Sequence, residues 1–201
     1  MPRSWQDALL AYLEPHATHD HLSGPQHNVI LLSDDRVVVI EDKYPKARVH
    51  LLVIARDTSL GSVLDLRPAH VELLEHMRNA GSRAVGEKFG DPRHASSSDV
   101  VGREGESLIQ VMMGFHAKPS LKPLHMHVVS RDLEKVTTKK HYLSFADPDF
   151  FLDVEWVCSE LRERGRVVYD MADKERVLKR PVPDWNKKRG GDRAMGAHPT
   201  T

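Results

Sequence analysis

The sequence predicts an α+β protein with an antiparallel sheet and flanking helices. Short apolar runs of strand length, bounded by turn residues, occur between residues 28 and 54 and between residues 107 and 130. Two amphipathic segments of helical period, residues 68–89 and 153–164, supply helices to cover the sheet. The chain has 201 residues, of which 40% are hydrophobic, which is enough for one packed domain. We expect that domain over residues 1–170.

The N-terminal half is expected to form a helix followed by a meander of strands. Ser4 is a favourable helix cap, and the apolar residues after it fall near one face until Pro15 ends the helix. The polar segment 16–26 contains three histidines, which we interpret as part of a solvated loop because no cysteine or carboxylate cluster accompanies them. Strands are predicted over residues 28–32, 37–40 and 50–54.

The C-terminal half adds a hairpin between helices. Strands are predicted over residues 107–114 and 124–130, and their short connection makes them antiparallel neighbours. Residues 139–145 are interpreted as a basic and aromatic loop. The helix 153–164 is expected to end at Gly165 in a C-cap position. Residues 171–201, with a Lys-Lys-Arg run at 187–189, are expected to form a basic, flexible extension.

Composition narrows the class of protein. The 29 Lys and Arg residues balance 29 Asp and Glu residues, so no global positive field indicates nucleic acid. The only cysteine, Cys158, excludes an intrachain disulfide and a multi-cysteine zinc site, and suits a reducing compartment. No apolar run reaches the roughly 18 residues of a membrane span, and the N-terminus lacks a signal-peptide pattern. We therefore expect a soluble, intracellular protein without a membrane partner.

The chemistry is expected in residues 114–130, which hold three of the thirteen histidines. His125 and His127 are two residues apart in a predicted strand, so their side chains share one face while Met126 points to the other. His116 precedes them across a Pro-Ser turn. Imidazole can act as nucleophile, general acid or metal ligand near neutral pH, so the pattern alone leaves these three roles open.

Four segments together resemble the aprataxins, most nearly the fungal form, within the histidine triad superfamily. They are VVVIEDKYPKARVH (37–50), GFHAKPS (114–120), LHMHVV (124–129) and KKHYLSF (139–145). They occur in the aprataxin order, and the resemblance covers roughly residues 4–170. It implies the histidine triad fold.

The resemblance also implies an activity, the repair of DNA 5′ ends. Aprataxins remove AMP from the adenylated nicked or recessed ends that an aborted ligation leaves, and AMP is the product. By position, His125 would be the nucleophile that forms a covalent adenylyl-histidine, and His116 would protonate the leaving DNA phosphate. The expected substrate-binding residues are His50 and His127 at the phosphate, Ser120 as a donor, Asp42 at the ribose hydroxyls, and Lys46.

DNA contacts are expected from basic residues and from one aromatic residue. The lysines are Lys46, Lys118, Lys139 and Lys140, each of which has the alternative reading of a solvated surface residue. Trp5 lies where aprataxins place an aromatic wedge against the terminal base pair, and its alternative role is core packing.

The sequence departs from the aprataxin pattern at two points. Pro123 stands at the first triad position, where we expect altered orientation of the neighbours but retained activity. The zinc finger expected in the family is not recognisable, because only His198 follows as a candidate ligand. We therefore expect no metal and no cofactor. The role implies residence in the nucleus, and the aprataxin resemblance implies a monomer.

Two other functions remain open at this point. The first is a histidine triad hydrolase of small adenosine phosphoramidates or dinucleotides, which the missing finger favours. The second is a non-catalytic protein that binds DNA ends or nucleotides, or a metal site that uses His125 and His127. The sequence offers no carboxylate at ligand spacing to these two histidines.

Overall fold

The computed structural model describes residues 4–14, 28–90, 110–168 and 179, and within them six antiparallel strands form one sheet. The order across the sheet is β1-β2-β3-β5-β4-β6. The strands are β1 (Ile30–Ser33), β2 (Val37–Glu41), β3 (His50–Ala55), β4 (Val111–His116), β5 (His125–Ser130) and β6 (Phe151–Asp153). The helices are α1 (Val71–Phe89), α2 (Lys139–Ala146) and α3 (Val154–Arg164), with 3₁₀ helices at Trp5–Leu13, Val63–Asp65 and Pro68–His70. The predicted α+β class is confirmed.

Most predicted elements are present with shifted ends. The predicted helix 68–89 begins with a 3₁₀ turn, and Gly165 caps α3 in the left-handed conformation with φ 72°. The N-terminal helix that Ser4 caps is a 3₁₀ helix. The predicted strand 107–114 is β4, which runs two residues further along the chain. The remaining predictions concern segments outside the described residues: 16–26, 107–109 and, apart from residue 179, the extension 171–201.

The prediction of a loop at residues 139–145 is wrong, because these residues form α2. Thr138 caps this helix by accepting a hydrogen bond from the main-chain N–H of His141 at 3.2 Å. Leu143 and Phe145 are buried, so packing against the sheet stabilises a helix that is short for independent stability.

A further difference from the prediction is β6, a strand of three residues that was not predicted. It pairs with β4, and Gly114 lies opposite Asp153 in the register. A Cβ atom at Gly114 would lie 2.5 Å from the carbonyl oxygen of Leu152 and 2.8 Å from the Phe151 ring. The absence of a side chain at Gly114 therefore lets β6 approach the sheet edge closely enough to pair.

The two faces of the sheet are covered in different ways. One face packs against α1 and α3 through a large apolar core that includes Val53, Met126 and Val128. On the other face, Leu9 and Tyr12 of the N-terminal 3₁₀ helix cover one end of the sheet. At the other end of this face, Phe145 of α2 lies in a separate apolar cluster. Between the N-terminal 3₁₀ helix and α2, this face of the sheet carries histidines.

A hydrogen bond near each end holds the N-terminal 3₁₀ helix on the sheet. The main-chain N–H of Lys122 donates to the Gln6 carbonyl at 2.8 Å, and the Arg56 guanidinium donates to the Leu13 carbonyl at 3.2 Å. The helix is therefore tied to the β4–β5 connection at its start and to the end of β3 at its finish. Among the described helices, none combines the length and the apolar character that crossing a bilayer requires.

Candidate active site: a cluster of four histidines

Three neighbouring strands bring four histidines together on one face. His50 is the first residue of β3, His116 the last of β4, and His125 and His127 belong to β5. The His125 and His127 rings have centroids 5.2 Å apart, so the prediction that they share a face is confirmed. His127 also lies 4.3 Å from His116 and 5.3 Å from His50 by ring centroids. His127 is therefore the centre of the cluster.

A chain of hydrogen bonds fixes the protonated nitrogens of two of these rings. The main-chain N–H of Lys46 donates to His50 Nδ1 at 3.1 Å, so in a neutral ring the proton lies on Nε2. That nitrogen is 3.0 Å from His127 Nδ1, which must then accept. The proton of neutral His127 therefore lies on Nε2, which has no hydrogen-bond partner. His127 thus holds an unused, buried N–H donor.

His125 has the opposite arrangement. Its Nδ1 lies 2.9 Å from the main-chain carbonyl oxygen of Pro123, which can only accept a proton. Neutral His125 therefore carries its proton on Nδ1 and a free lone pair on Nε2. Because a main-chain carbonyl makes this contact, no histidine side chain is needed at residue 123 to orient His125.

His116 supplies a second unused nitrogen. Its ring donates to the main-chain carbonyl of Ser144 in α2, and its Nε2 is buried without a hydrogen-bond partner. Polar atoms buried in this way are uncommon and indicate a site built for a ligand. The Nε2 atoms of His116 and His127 are two such atoms in one cluster.

Burial keeps the four rings neutral. It lowers the pKa of His116 to about 3, with smaller contributions from the charges of His125 and His50. Burial also lowers the pKa of His50 to about 4, against the opposing effect of the Asp42 carboxylate. The pKa of His125 is lowered, and that of His127 lies well below its usual value, with burial as the main cause in both cases. A bound anion would favour the protonated rings, so this site can change its charge when it binds a phosphate.

Phe145 covers the cluster, and sequence reasoning missed this role. Its ring centroid lies 4.8 Å from that of His116, 5.3 Å from His50 and 5.4 Å from His127. The signal available in the sequence was the pair Tyr142 and Phe145, which are three residues apart, as on one face of a helix, and which the interpretation as a loop discarded. Phe145 excludes water from three rings and so maintains their low pKa values.

Asp42 lies at the β3 end of the cluster. Its Oδ2 is 3.5 Å from His50 Nε2, and its Oδ1 accepts from the main-chain N–H of Tyr44 at 2.7 Å. No carboxylate is near His125 and His127 in the sequence, but folding brings ligand atoms of Asp42, His50 and His127 within 4.8 Å of one another.

The hydrogen bonds of this trio do not suit a metal ion. A metal on His50 Nε2 would require the proton on Nδ1, where the Lys46 N–H already points. Metal-binding histidines normally donate their other N–H to an acceptor, and here that position faces a donor. The His50 Nε2–H instead lies between His127 Nδ1 and Asp42 Oδ2, at 3.0 and 3.5 Å.

The remaining predicted binding residues surround the cluster. Lys46 lies close enough for its charge to act on His50, His116 and His127. Lys118 and Ser120 are exposed in the β4–β5 connection, and Lys139 and Lys140 begin α2.

Trp5 is 67% exposed at the start of the N-terminal 3₁₀ helix. The alternative role of core packing is therefore wrong for this residue. Its indole is available for contact with a partner.

Comparison with known proteins gives a consistent family. Residues 17–142 match the family described as "Scavenger mRNA decapping enzyme C-term binding". The chain is 31% identical over 168 residues to an aprataxin-like protein of Schizosaccharomyces pombe, covering 81% of this chain and 68% of that protein. It is 38% identical over 157 residues to aprataxin of Gallus gallus, covering 77% of this chain and 44% of that protein. The chain thus spans less than half the length of some curated relatives that it matches.

A solved structure described as aprataxin ortholog Hnt3 in complex with DNA shares the fold. The TM-score is 0.60 at 24% sequence identity, and the match covers 88% of this chain and 82% of that one. A second Hnt3 structure matches with a TM-score of 0.56 at 27% identity, covering 79% of each chain.

Proposed function

Because the chain belongs to the aprataxin branch of the histidine triad superfamily, we propose that it is a hydrolase that removes AMP from 5′-adenylated DNA ends. One observation carries the proposal. The free lone pair of His125 lies in the same cluster as the unpartnered Nε2 atoms of His116 and His127. Such a set provides one nucleophile and two groups that can contact a phosphate.

In the first step, His125 Nε2 attacks the α-phosphorus of the AMP group. A phosphorus–nitrogen bond forms and the bridging phosphorus–oxygen bond to the DNA 5′-phosphate breaks. His116, protonated once the anionic substrate has entered, gives its proton to the leaving oxygen. The His125 Nδ1–H stays bonded to the Pro123 carbonyl, which stabilises the positive imidazole during attack.

In the second step, water replaces the enzyme on phosphorus. His116, now neutral, takes one proton from the water while a phosphorus–oxygen bond forms and the phosphorus–nitrogen bond breaks. The products are AMP and a DNA 5′-phosphate, and His125 regains its lone pair. Throughout both steps, the His127 Nε2–H donates to a non-bridging oxygen, where negative charge increases in the transition state.

The other assigned residues fix the two ends of the substrate. Asp42, beyond His50, accepts from the ribose hydroxyls of AMP, and Ser120 donates to the phosphate. Lys46, Lys118, Lys139 and Lys140 attract the DNA backbone. Trp5 stacks on the terminal base pair, for which its exposure provides the surface.

The test is release of AMP from nicked DNA that carries a 5′-adenylate, with His125→Ala as control. Wild-type protein is expected to release AMP and to form an acid-labile AMP adduct that the variant lacks. Unchanged turnover in the variant would refute the nucleophile assignment, and binding of adenylated DNA without turnover would indicate a binding protein.

A second candidate is a hydrolase of small adenosine phosphoramidates or dinucleotides. The observation that favours it is that the nucleophile and both phosphate-contacting nitrogens lie within the histidine cluster, which needs no DNA contact to act on an adenylated small molecule. Comparing kcat/KM on adenylated DNA and on adenosine phosphoramidate separates the two. No advantage for DNA, together with binding that does not depend on salt, would favour the small substrate.

Nuclear residence and a monomeric state belong to the same proposal. The role in DNA repair requires the first, and the resemblance to aprataxins supports the second. Imaging of a tagged protein in cells and sedimentation of the purified chain test them separately.

A further inference from the structure

A pocket of about 470 Å³ lies against the β4–β5 connection, beside the histidine cluster. Its volume falls in the range of about 300–1,000 Å³ that is typical of small-ligand sites. Its walls come from Gln6 of the N-terminal 3₁₀ helix, from residues 61–65 and from residues 117–122. The last segment follows His116 directly. The pocket therefore adjoins the end of β4 that carries the proposed acid.

Hydrogen bonds between main-chain atoms hold the walls in place. The N–H of Lys122 donates to the Gln6 carbonyl at 2.8 Å, and the N–H of Leu124 donates to the Leu60 carbonyl at 2.7 Å. The three wall segments are thus connected to one another without a bound molecule. A pocket formed in advance lowers the entropy lost when a ligand binds.

The charged groups of the walls favour an anion. Lys118 and Lys122 are exposed on the wall, and neither is ion-paired within the described ranges. The carboxylate of Asp65 is turned toward the main chain, where its Oδ2 accepts from the N–H groups of Gly61 and Ser62 at 2.9 and 2.8 Å. Two lysines against one carboxylate leave the walls with a net charge of +1, and both ammonium groups are available to a ligand.

The same pocket also presents apolar surface. Leu64 lines it and is 54% exposed. A bare inorganic anion would use the lysines but would not cover Leu64. A nucleotide matches both features, because the CH groups of its deoxyribose can cover Leu64 while its phosphates are anionic.

We propose that this pocket binds the first nucleotide of the leaving DNA strand, with the Lys122 ammonium at the phosphodiester on the 3′ side of that nucleotide. The inference rests on the proposed function for the position of the leaving group. It adds a subsite that makes the nucleotide, and not only its 5′-phosphate, part of what the protein recognises. Lys122 and Gly61 become specificity residues that lie outside the histidine cluster.

The first test fills the pocket. A Cβ atom at Gly61 would lie 3.4 Å from Asp65 Oδ2 and 3.7 Å from Lys122 Cε, so Gly61→Ala is accommodated and serves as the matched control. Gly61→Val places two further methyl groups in the pocket. We expect Gly61→Val to lower kcat/KM for adenylated thymidine 5′-phosphate and for adenylated DNA by about tenfold or more, because the leaving group is displaced. Adenosine phosphoramidate has no leaving nucleotide and should be hydrolysed at the wild-type rate.

The second test removes one charge. Lys122→Met keeps the apolar stem of the side chain and should reduce the salt dependence of DNA binding by roughly the 0.7–0.9 expected for one phosphate contact. Arg83→Met removes one positive charge from α1 on the opposite side of the sheet and should leave that slope unchanged.

The outcomes separate this inference from the proposed function. If wild type hydrolyses adenylated thymidine 5′-phosphate no faster than the phosphoramidate, or if Gly61→Val lowers all rates equally, the pocket does not bind the nucleotide. If the single nucleotide gives an advantage that Gly61→Val removes while adenylated DNA is not processed, the pocket assignment holds and the DNA function fails.

Discussion

The two faces of one sheet use the same strands for opposite purposes. On β5, Met126 and Val128 point into the core under α1 and α3, while His125 and His127 point into the cluster. The apolar face is filled to the point that a Cβ atom at Gly81 of α1 would lie 2.8 Å from Val128 Cγ2. The histidine face instead leaves two buried nitrogens without partners. The packed face holds the strands rigid, so that the other face can keep four imidazoles in fixed positions without filling the space between them.

Removing one histidine from each side of the sheet tests most directly whether only the histidine face carries the activity. His125→Ala on the site face is expected to lower kcat by at least roughly a thousandfold, since it removes the group that forms the covalent bond. His76→Ala on α1 removes a histidine that pairs with Asp34 at 2.9 Å, away from the cluster. It should lower stability slightly and leave kcat close to the wild-type value. Steady-state rates on adenylated DNA, together with thermal melts, measure both effects.

On the packed face, the free energy of unfolding is expected to depend on side-chain volume. Gly81→Val is expected to destabilise the fold by about 1–3 kcal/mol, because the new methyl groups collide with Val128 and Val53 on the core face. Val128→Ala removes the side chain nearest to the new methyl groups. The double variant Gly81→Val/Val128→Ala should therefore recover part of the stability that Gly81→Val loses. Denaturant unfolding gives the free energies. Additive losses in the double variant would show that the collision is not the cause.

Two tryptophans that are exposed within the described part of the chain extend the comparison to the surface. Trp5 is 67% exposed beside the site face, and Trp156 of α3 is 37% exposed on the other side. Trp5→Ala should lower kcat/KM for adenylated DNA by an amount equivalent to about 1–3 kcal/mol, the value of stacking on one base. The kcat/KM for adenosine phosphoramidate should not change. Trp156→Ala should leave both substrates unaffected. An equal loss on the small substrate would show that Trp5 acts on the cluster and not on DNA.

The packed face was easier to predict from the sequence than the histidine face. Alternation in β5 predicted that Met126 points away from the histidines and into the core, because strand geometry sends every second side chain to one side. It also placed His125 and His127 together. The contact between His50 and His127 joins residues 77 apart, and no local pattern determines it.

The missed elements depend on tertiary contacts of single residues. The eight residues of α2 form a helix in which Leu143 and Phe145 are buried, and β6 forms because Gly114 leaves space for it. Local propensity is a weak guide to such short elements. The cover that Phe145 places over the cluster was therefore missed together with its helix.

Acid is expected to destabilise the fold through the histidine face. Burial sets the pKa of His116 at about 3, against about 6.5 in an unfolded chain, so on acidification the unfolded chain binds its proton first. This contribution to stability is complete above pH 6.5 and is lost progressively as the pH falls from there toward 3. His116→Asn retains a donor for the Ser144 carbonyl and removes the titrating ring, so its melting temperature should decline less steeply between pH 7 and pH 4. Parallel slopes for wild type and variant would mean that His116 is not held neutral by its burial beneath Phe145.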